Sequence, residues 1–324
     1  LLSRGLGDVY KRQQQHDGGD NSETAAAKPE PFTAADASAC LTWDIAQDGS
    51  ATGFKEVPCS EPHRFEVSKT EDLSVYPTSE FGPDATRPAL TRQHQLRDEL
   101  CESATVSYLH GKWDPNGKYD VASILPPQSA WDRGDRTLLC GLQTTDDHGV
   151  PQLNTGNVEA SEQANLSKPG ECLAIDDKQV PHVVDCAKPH QMETVSVIDV
   201  GKQFPEGYPD GKDMDKFLSE TCTAATEDYL GGEEQLYQST LQPFWGSITE
   251  ASWNGGTKSV NCSLVHARAG GGFSAITGSA TGGRQALSID GKPPEERPER
   301  NPLREDKDDN PAPESAAPAP APAP

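Results

Sequence analysis

Two eight-residue blocks carry the side chains best suited to chemistry. CSEPHRFE runs from Cys59 to Glu66 and CAKPHQME from Cys186 to Glu193, and both fit C-x-x-P-H-x-x-E. A histidine and a glutamate so close in sequence could act as acid and base, or join a cysteine in holding a metal ion. Each possibility carries a geometric condition. Residues three apart share a face on a helix but point to opposite faces on a strand. HRFEV and HQMETVSV read as extended, so His63 and Glu66 are not expected to meet one ligand, and neither are His190 and Glu193. We favour a structural role, in which Pro62 and Pro189 set the entry to a strand and each histidine bonds locally. A wall-acting enzyme using His63 or His190 is the less favoured alternative. No catalytic residue is assigned.

The cysteines argue similarly. Eight are present, none in a C-x-x-C pair of the kind that structural zinc sites use. An even number of widely spaced cysteines points to disulfides in an oxidising compartment, and disulfides remove the thiolates that zinc requires. No metal ligand and no cofactor is expected.

The elements that position these residues come in two sets. Cys40, Cys59, Cys101 and Cys140 are followed by Cys172, Cys186, Cys222 and Cys262, with matching local motifs. The third cysteine of each set heads C-x-x-A-x-x-x-Y-L-x-G, as CESATVSYLHG and CTAATEDYLGG. The fourth closes W-x-x-G-x-x-x-x-x-C, as WDRGDRTLLC and WNGGTKSVNC. Three blocks in the same order indicate duplication of one module. Cys172 and Cys186 flank a short hairpin with a polar turn at Asp176, Asp177 and Lys178, and Cys40 and Cys59 hold the same places around a longer insert. A helix follows, its inward face marked by Leu96, Leu100, Ala104 and Tyr108, or by Phe217, Leu218, Ala225 and Tyr229. Asp213 is a candidate cap for the second helix, and Gly111 and Gly231 are candidate stops. A last strand carries Cys140 or Cys262.

Nine pairings keep every disulfide within its own module, and the preferred one joins first to second and third to fourth. Trp131 and Trp253 could stack on sugars, but their recurrence at one offset suits core anchors better.

The expected fold is α+β: two tandem disulfide-stabilised modules, each a β-hairpin plus one helix and further strands, with disordered ends. Module 1 spans 38–146 and module 2 spans 169–268. A flexible stalk is expected over 14–37 and a linker over 147–168. A disordered tail of glycine, charged residues and Pro-Ala repeats is expected over 269–324. GGGFSAITGSATGG within that tail lacks the spacing of a phosphate loop or nucleophile elbow and reads as linker. The Pro-rich end could be a partner ligand, although a solvated spacer is favoured. Leu1 to Gln13 is expected to be foreign: Asp8 to Gln13, DVYKRQ, is the translation of a transposon end used in sequencing libraries. Any signal or membrane anchor would then lie upstream.

A formal charge of −23 argues against nucleic acid as a partner. No run of 18 or more apolar residues is present, so contact with a membrane is expected only through an N-terminal segment outside this sequence.

The paired C-x-x-P-H-x-x-E blocks, the Y-L helices and the W-to-C strands resemble the septum formation domain of actinobacteria over about Ser38 to Ala267. That resemblance implies an envelope protein with an N-terminal membrane helix, a cysteine-bearing region outside the cytoplasm and a role in the division septum. It supplies no catalytic residues. The expectation is a non-enzymatic, extracytoplasmic, membrane-tethered protein binding envelope or division proteins, or cell-wall components. A ligand-binding or sensor ectodomain is the alternative.

Overall fold

A computed structural model describes residues 28–300. The adapter scar expected at 1–13, most of the expected stalk and the Pro-Ala end fall outside those residues. Two compact units divide the chain. Among the described residues the first comprises 28–165 together with 248–258, and the second comprises 166–247 and 259–300.

The first unit is built on a five-stranded antiparallel sheet. Its strands are β1 (Cys40–Ile45), β2 (Ala51–Val57), β3 (Phe65–Asp72), β4 (Asp120–Ile124) and β5 (Thr137–Gln143), in the order β2-β1-β3-β5-β4. Between β3 and β4 lie helices α1 (Leu90–Leu100) and α2 (Glu102–Tyr108), and between β4 and β5 lies the short helix α3 (Gln128–Asp132). Alternation along β5 feeds two cores. Leu139 joins Leu41, Trp43, Phe65 and Val67 on one face. Leu138 and Cys140 join Leu96, Cys101 and Trp131 on the other. With both faces covered, β5 reads TLLCGL without a polar break, as a fully buried strand should.

The second unit repeats the arrangement. Strands β6 (Cys172–Ile175), β7 (Pro181–Val184), β8 (Met192–Asp199), β9 (Gln242–Trp245) and β10 (Ser259–Val265) form a sheet in the order β7-β6-β8-β10-β9. Here the chain also forms α4 (Val200–Gln203), α5 (Gly211–Leu230) and α6 (Glu233–Ser239). Asp210, not Asp213, caps α5: its side chain accepts the Lys212 N–H, and Asp213 sits inside the first turn. Gly231 stops α5 in the left-handed conformation. The single helix expected in the first module is instead two, divided at Cys101. The short helix α7 (Glu250–Gly255), which carries Trp253, groups with the first unit, against the expected 169–268 boundary. The Asp114 carboxylate, 2 % exposed, accepts the Ser252 and Thr257 hydroxyls there. Gly255 is needed because a Cβ would come 2.8 Å from the Trp113 carbonyl oxygen.

The disulfides are Cys40–Cys59, Cys101–Cys140, Cys172–Cys186 and Cys222–Cys262, the preferred pairing of the nine. Trp131 is buried, donates its indole N–H to the Ala85 carbonyl at 2.7 Å, and lies under the Arg136 guanidinium.

Three expected boundaries are corrected by packing. The described end of the stalk is part of the first core: Phe32 and Ala35 are buried, and the Phe32 N–H donates to Asp135 at 2.6 Å. The linker buries Val158, Gln163 and Ala164. The described part of the tail, 269–300, is folded through β11 (Ile276–Thr277) and β12 (Ser288–Ile289), with Ile276, Ala280, Leu287 and Ile289 buried. Polar, glycine-rich composition suggested solvated chain, but one apolar residue every few positions is enough to seat a segment on an existing core.

Candidate functional site

Both C-x-x-P-H-x-x-E blocks converge on a buried histidine and a buried glutamate. His63 and Glu66 are 3 % and 1 % exposed; His190 and Glu193 are 0 % and 1 %. The expectation of opposite faces is wrong. Strand alternation begins only at Phe65 and at Met192, and the histidines lie ahead of it, before bends at Arg64 and Gln191. In each unit a cysteine sulfur, a histidine ring nitrogen and a carboxylate oxygen lie within 4.8 Å of one another: Cys40, His63 and Glu66, and Cys172, His190 and Glu193. Both sulfurs are held in disulfides. Pro62 and Pro189 are exposed at the turn before each histidine.

The hydrogen bonds explain the motif. His63 Nδ1 meets the Glu61 carbonyl at 2.9 Å, and His190 Nδ1 meets the Lys188 carbonyl at 2.8 Å. A carbonyl only accepts, so Nδ1 carries the proton in both rings. The backbone of each histidine pairs with a segment that follows the last strand. His63 and Asn154 exchange both N–H···O bonds, and His190 and Ile276 do the same. Two residues on, the Gly156 N–H donates to the Cys59 carbonyl and the Gly278 N–H to the Cys186 carbonyl. Two further on, the Val158 N–H donates to Glu66 Oε2 at 2.8 Å and the Ala280 N–H to Glu193 Oε2 at 2.7 Å.

The glutamate is thus the anchor of a clasp. Its other oxygen accepts the helix tyrosine: Tyr108 to Glu66 Oε1 at 2.7 Å, and Tyr229 to Glu193 Oε1 at 2.8 Å, where the Ser279 hydroxyl joins at 2.8 Å. One carboxylate therefore ties helix, sheet and trailing segment together. Burial, reinforced by the facing carboxylate, holds both phenols well above the ordinary tyrosine range. Gly278 is required by its φ of +93° and because a Cβ would lie 2.0 Å from the Ala286 carbonyl oxygen.

The clasp residues were not found from sequence, although a signal exists. Thr-Gly stands at 155–156 and again at 277–278, at the spacing that also separates Trp131 from Trp253 and Cys140 from Cys262. GGGFSAITGSATGG, whose composition reads as linker, contains the second clasp. Beside the first clasp lies an open depression of about 560 Å³, lined in part by Pro62, Lys118, Tyr119, Asn154, Thr155 and Glu162. Partial burial lowers the Lys118 pKa, opposed by the neighbouring Glu162 carboxylate.

No helix among the described residues is long and apolar enough to cross a membrane. Two proteins of Mycobacterium tuberculosis match over 282 residues at 33 % identity: "Uncharacterized membrane protein MT3943" of strain CDC 1551 / Oshkosh and "Uncharacterized membrane protein Rv3835" of strain ATCC 25618 / H37Rv. Each alignment covers 83 % of this chain and 61 % of the relative, so the chain spans less than two thirds of either protein. No solved structure matches. The family model described as Septum formation matches residues 37–262, and the chain, with its duplicated cysteine and clasp blocks, belongs to that family.

Proposed function

We propose that this chain is the extracytoplasmic part of a membrane-anchored envelope protein that acts in septum formation by binding, without catalysis. Its partners on this reading are division proteins or cell-wall components. The observation that carries the reading is where the motif residues spend their bonding capacity. Glu66 and Glu193 are buried and hold the phenols and the clasp amides, and His63 and His190 hold their own turns. Four disulfides suit an oxidising compartment, and the matched relatives are named membrane proteins.

The test is imaging of the tagged full-length protein in dividing cells, combined with depletion. Enrichment at the septum and misplaced or delayed septa on depletion are expected. Uniform envelope fluorescence with normal septa would overturn the division role. A ligand-binding ectodomain is the second reading, and the depression beside the first clasp favours it. Ligand-dependent thermal stabilisation of the purified chain is its mark.

A further inference from the structure

His190 is fully buried, yet its Nε2 has no hydrogen-bond partner among the described residues. With the proton on Nδ1 and donated to the Lys188 carbonyl, Nε2 presents a bare lone pair. A buried polar atom left unpaired is destabilising, so its position calls for a reason. The same imidazole belongs to a metal-type donor set: a ring nitrogen of His190, the Cys172 sulfur and a Glu193 oxygen lie within 4.8 Å of one another. The outer contacts are also those that metal ligands use. A ligating histidine commonly donates its other N–H to a carbonyl, and a ligating carboxylate is held by further donors. Here Lys188 plays the first part, and Tyr229, Ser279 and Ala280 play the second. Among the described residues Glu193 Oε2 accepts only the Ala280 N–H, which leaves a lone pair for a metal.

The missing condition is a thiolate. Cys172 is buried, whereas Cys186 is half-buried on the turn after β7, so the outer sulfur is the one open to attack. We propose that reduction of Cys172–Cys186 turns this cluster into a zinc site, with Cys172, Cys186, His190 and Glu193 as its four ligands. The reductant is a dithiol. Its thiolate attacks Cys186 Sγ, the S–S bond breaks, and the Cys172 thiolate leaves beside His190. The second thiol of the reductant, as its thiolate, then displaces Cys186 from the mixed disulfide, leaving the reductant as a disulfide and the protein with two more electrons. Both cysteines bind the ion as thiolates, and protons taken up on reduction are released to solvent. Tetrahedral zinc with bonds of 2.0–2.3 Å spaces its ligand atoms by roughly 3.3–3.8 Å, so the cluster must close by about 1 Å. Cutting the disulfide frees the Cys186 side chain to do so, while the Gly278 N–H still holds the Cys186 carbonyl. Cys40, His63 and Glu66 repeat the donor set in the first unit.

The experiment is a cobalt titration of the whole chain, reduced with a phosphine, desalted without air and compared with the oxidised protein. A thiolate-to-cobalt charge-transfer band is expected only after reduction, and His190→Ala should bind one cobalt fewer per chain. No such band in the reduced protein, or unchanged stoichiometry in the variant, would overturn the proposal. X-ray absorption of the zinc-loaded wild type needs no variant. Two sulfur and two nitrogen or oxygen neighbours are expected, and a shell of four sulfurs or of oxygen alone counts against the site.

Discussion

Replacing Glu193 by glutamine isolates the clasp. The side chain keeps its shape and its place at 1 % exposure. The amide oxygen can still accept from Tyr229 and Ser279, as Oε1 does now. The NH2 group then faces the Ala280 N–H, donor against donor, where Oε2 had accepted at 2.7 Å. One hydrogen bond to a charged group is lost, worth roughly 1.5–3 kcal/mol, and a buried N–H is left unpaired. Turning the amide round only moves the conflict to the two hydroxyls, which can rotate but then lose their acceptor. We expect Glu193→Gln to lower the stability of the second unit by about 2–4 kcal/mol, read by urea unfolding with disulfides intact. Native-state hydrogen exchange should speed up at Ile276, Gly278 and Ala280, while the first unit keeps its protection. A loss below about 0.5 kcal/mol with unchanged exchange at Ala280 would refute the clasp. That size is typical of surface substitutions.

Further consequences follow from the same geometry. Tyr108 and Tyr229 have phenols held above their ordinary pKa of 10.0, so the folded state keeps protons that the unfolded chain gives up. Their contribution is therefore complete below pH 10 and is lost as pH rises beyond it. Alkaline denaturation followed by circular dichroism should show this fall, and Tyr108→Phe with Tyr229→Phe should flatten it. Gly141→Ala puts a Cβ 2.2 Å from the Glu66 carbonyl oxygen and 2.4 Å from the Phe65 ring, so the paired strands β3 and β5 must part. A loss of about 3 kcal/mol or failure to fold is expected in thermal melts. Removing Cys222–Cys262, which spans 40 residues, should cost about 1 kcal/mol more than removing Cys172–Cys186, which spans 14. A chain ended after Arg268 should lose the second unit's cooperative unfolding, because Ile276, Ala280, Leu287 and Ile289 leave their burial sites.

Much of this architecture was legible in the sequence. The duplicated cysteine blocks led to two like sheets and to the observed disulfides, because the hairpins and the helix-to-strand pairs bring those sulfurs together locally. Tyr108 and Tyr229 were placed on inward helix faces, but their partners were not foreseen. Glu66 and Glu193 escaped because strand alternation was extended two residues too far, across bends that neither HRFE nor HQME announces. The clasps were missed for a different reason. Their hold is mostly backbone hydrogen bonding to His63, Cys59, His190 and Cys186, which leaves little trace in side-chain pattern. Asn154 and Ile276 occupy equivalent places with unlike side chains, since the sheet-like bridge reads only their main chain.

The most direct test of the account is native-state hydrogen exchange on the unmodified chain, followed at Asn154, Gly156 and Val158 and at Ile276, Gly278 and Ala280. If the Pro-His-x-x-Glu blocks exist to hold these segments, their amides exchange as slowly as those of β3 and β8. Exchange at the rate of unstructured chain, with β3 and β8 still protected, would contradict the clasp and reopen the question of what the buried histidine and glutamate are for.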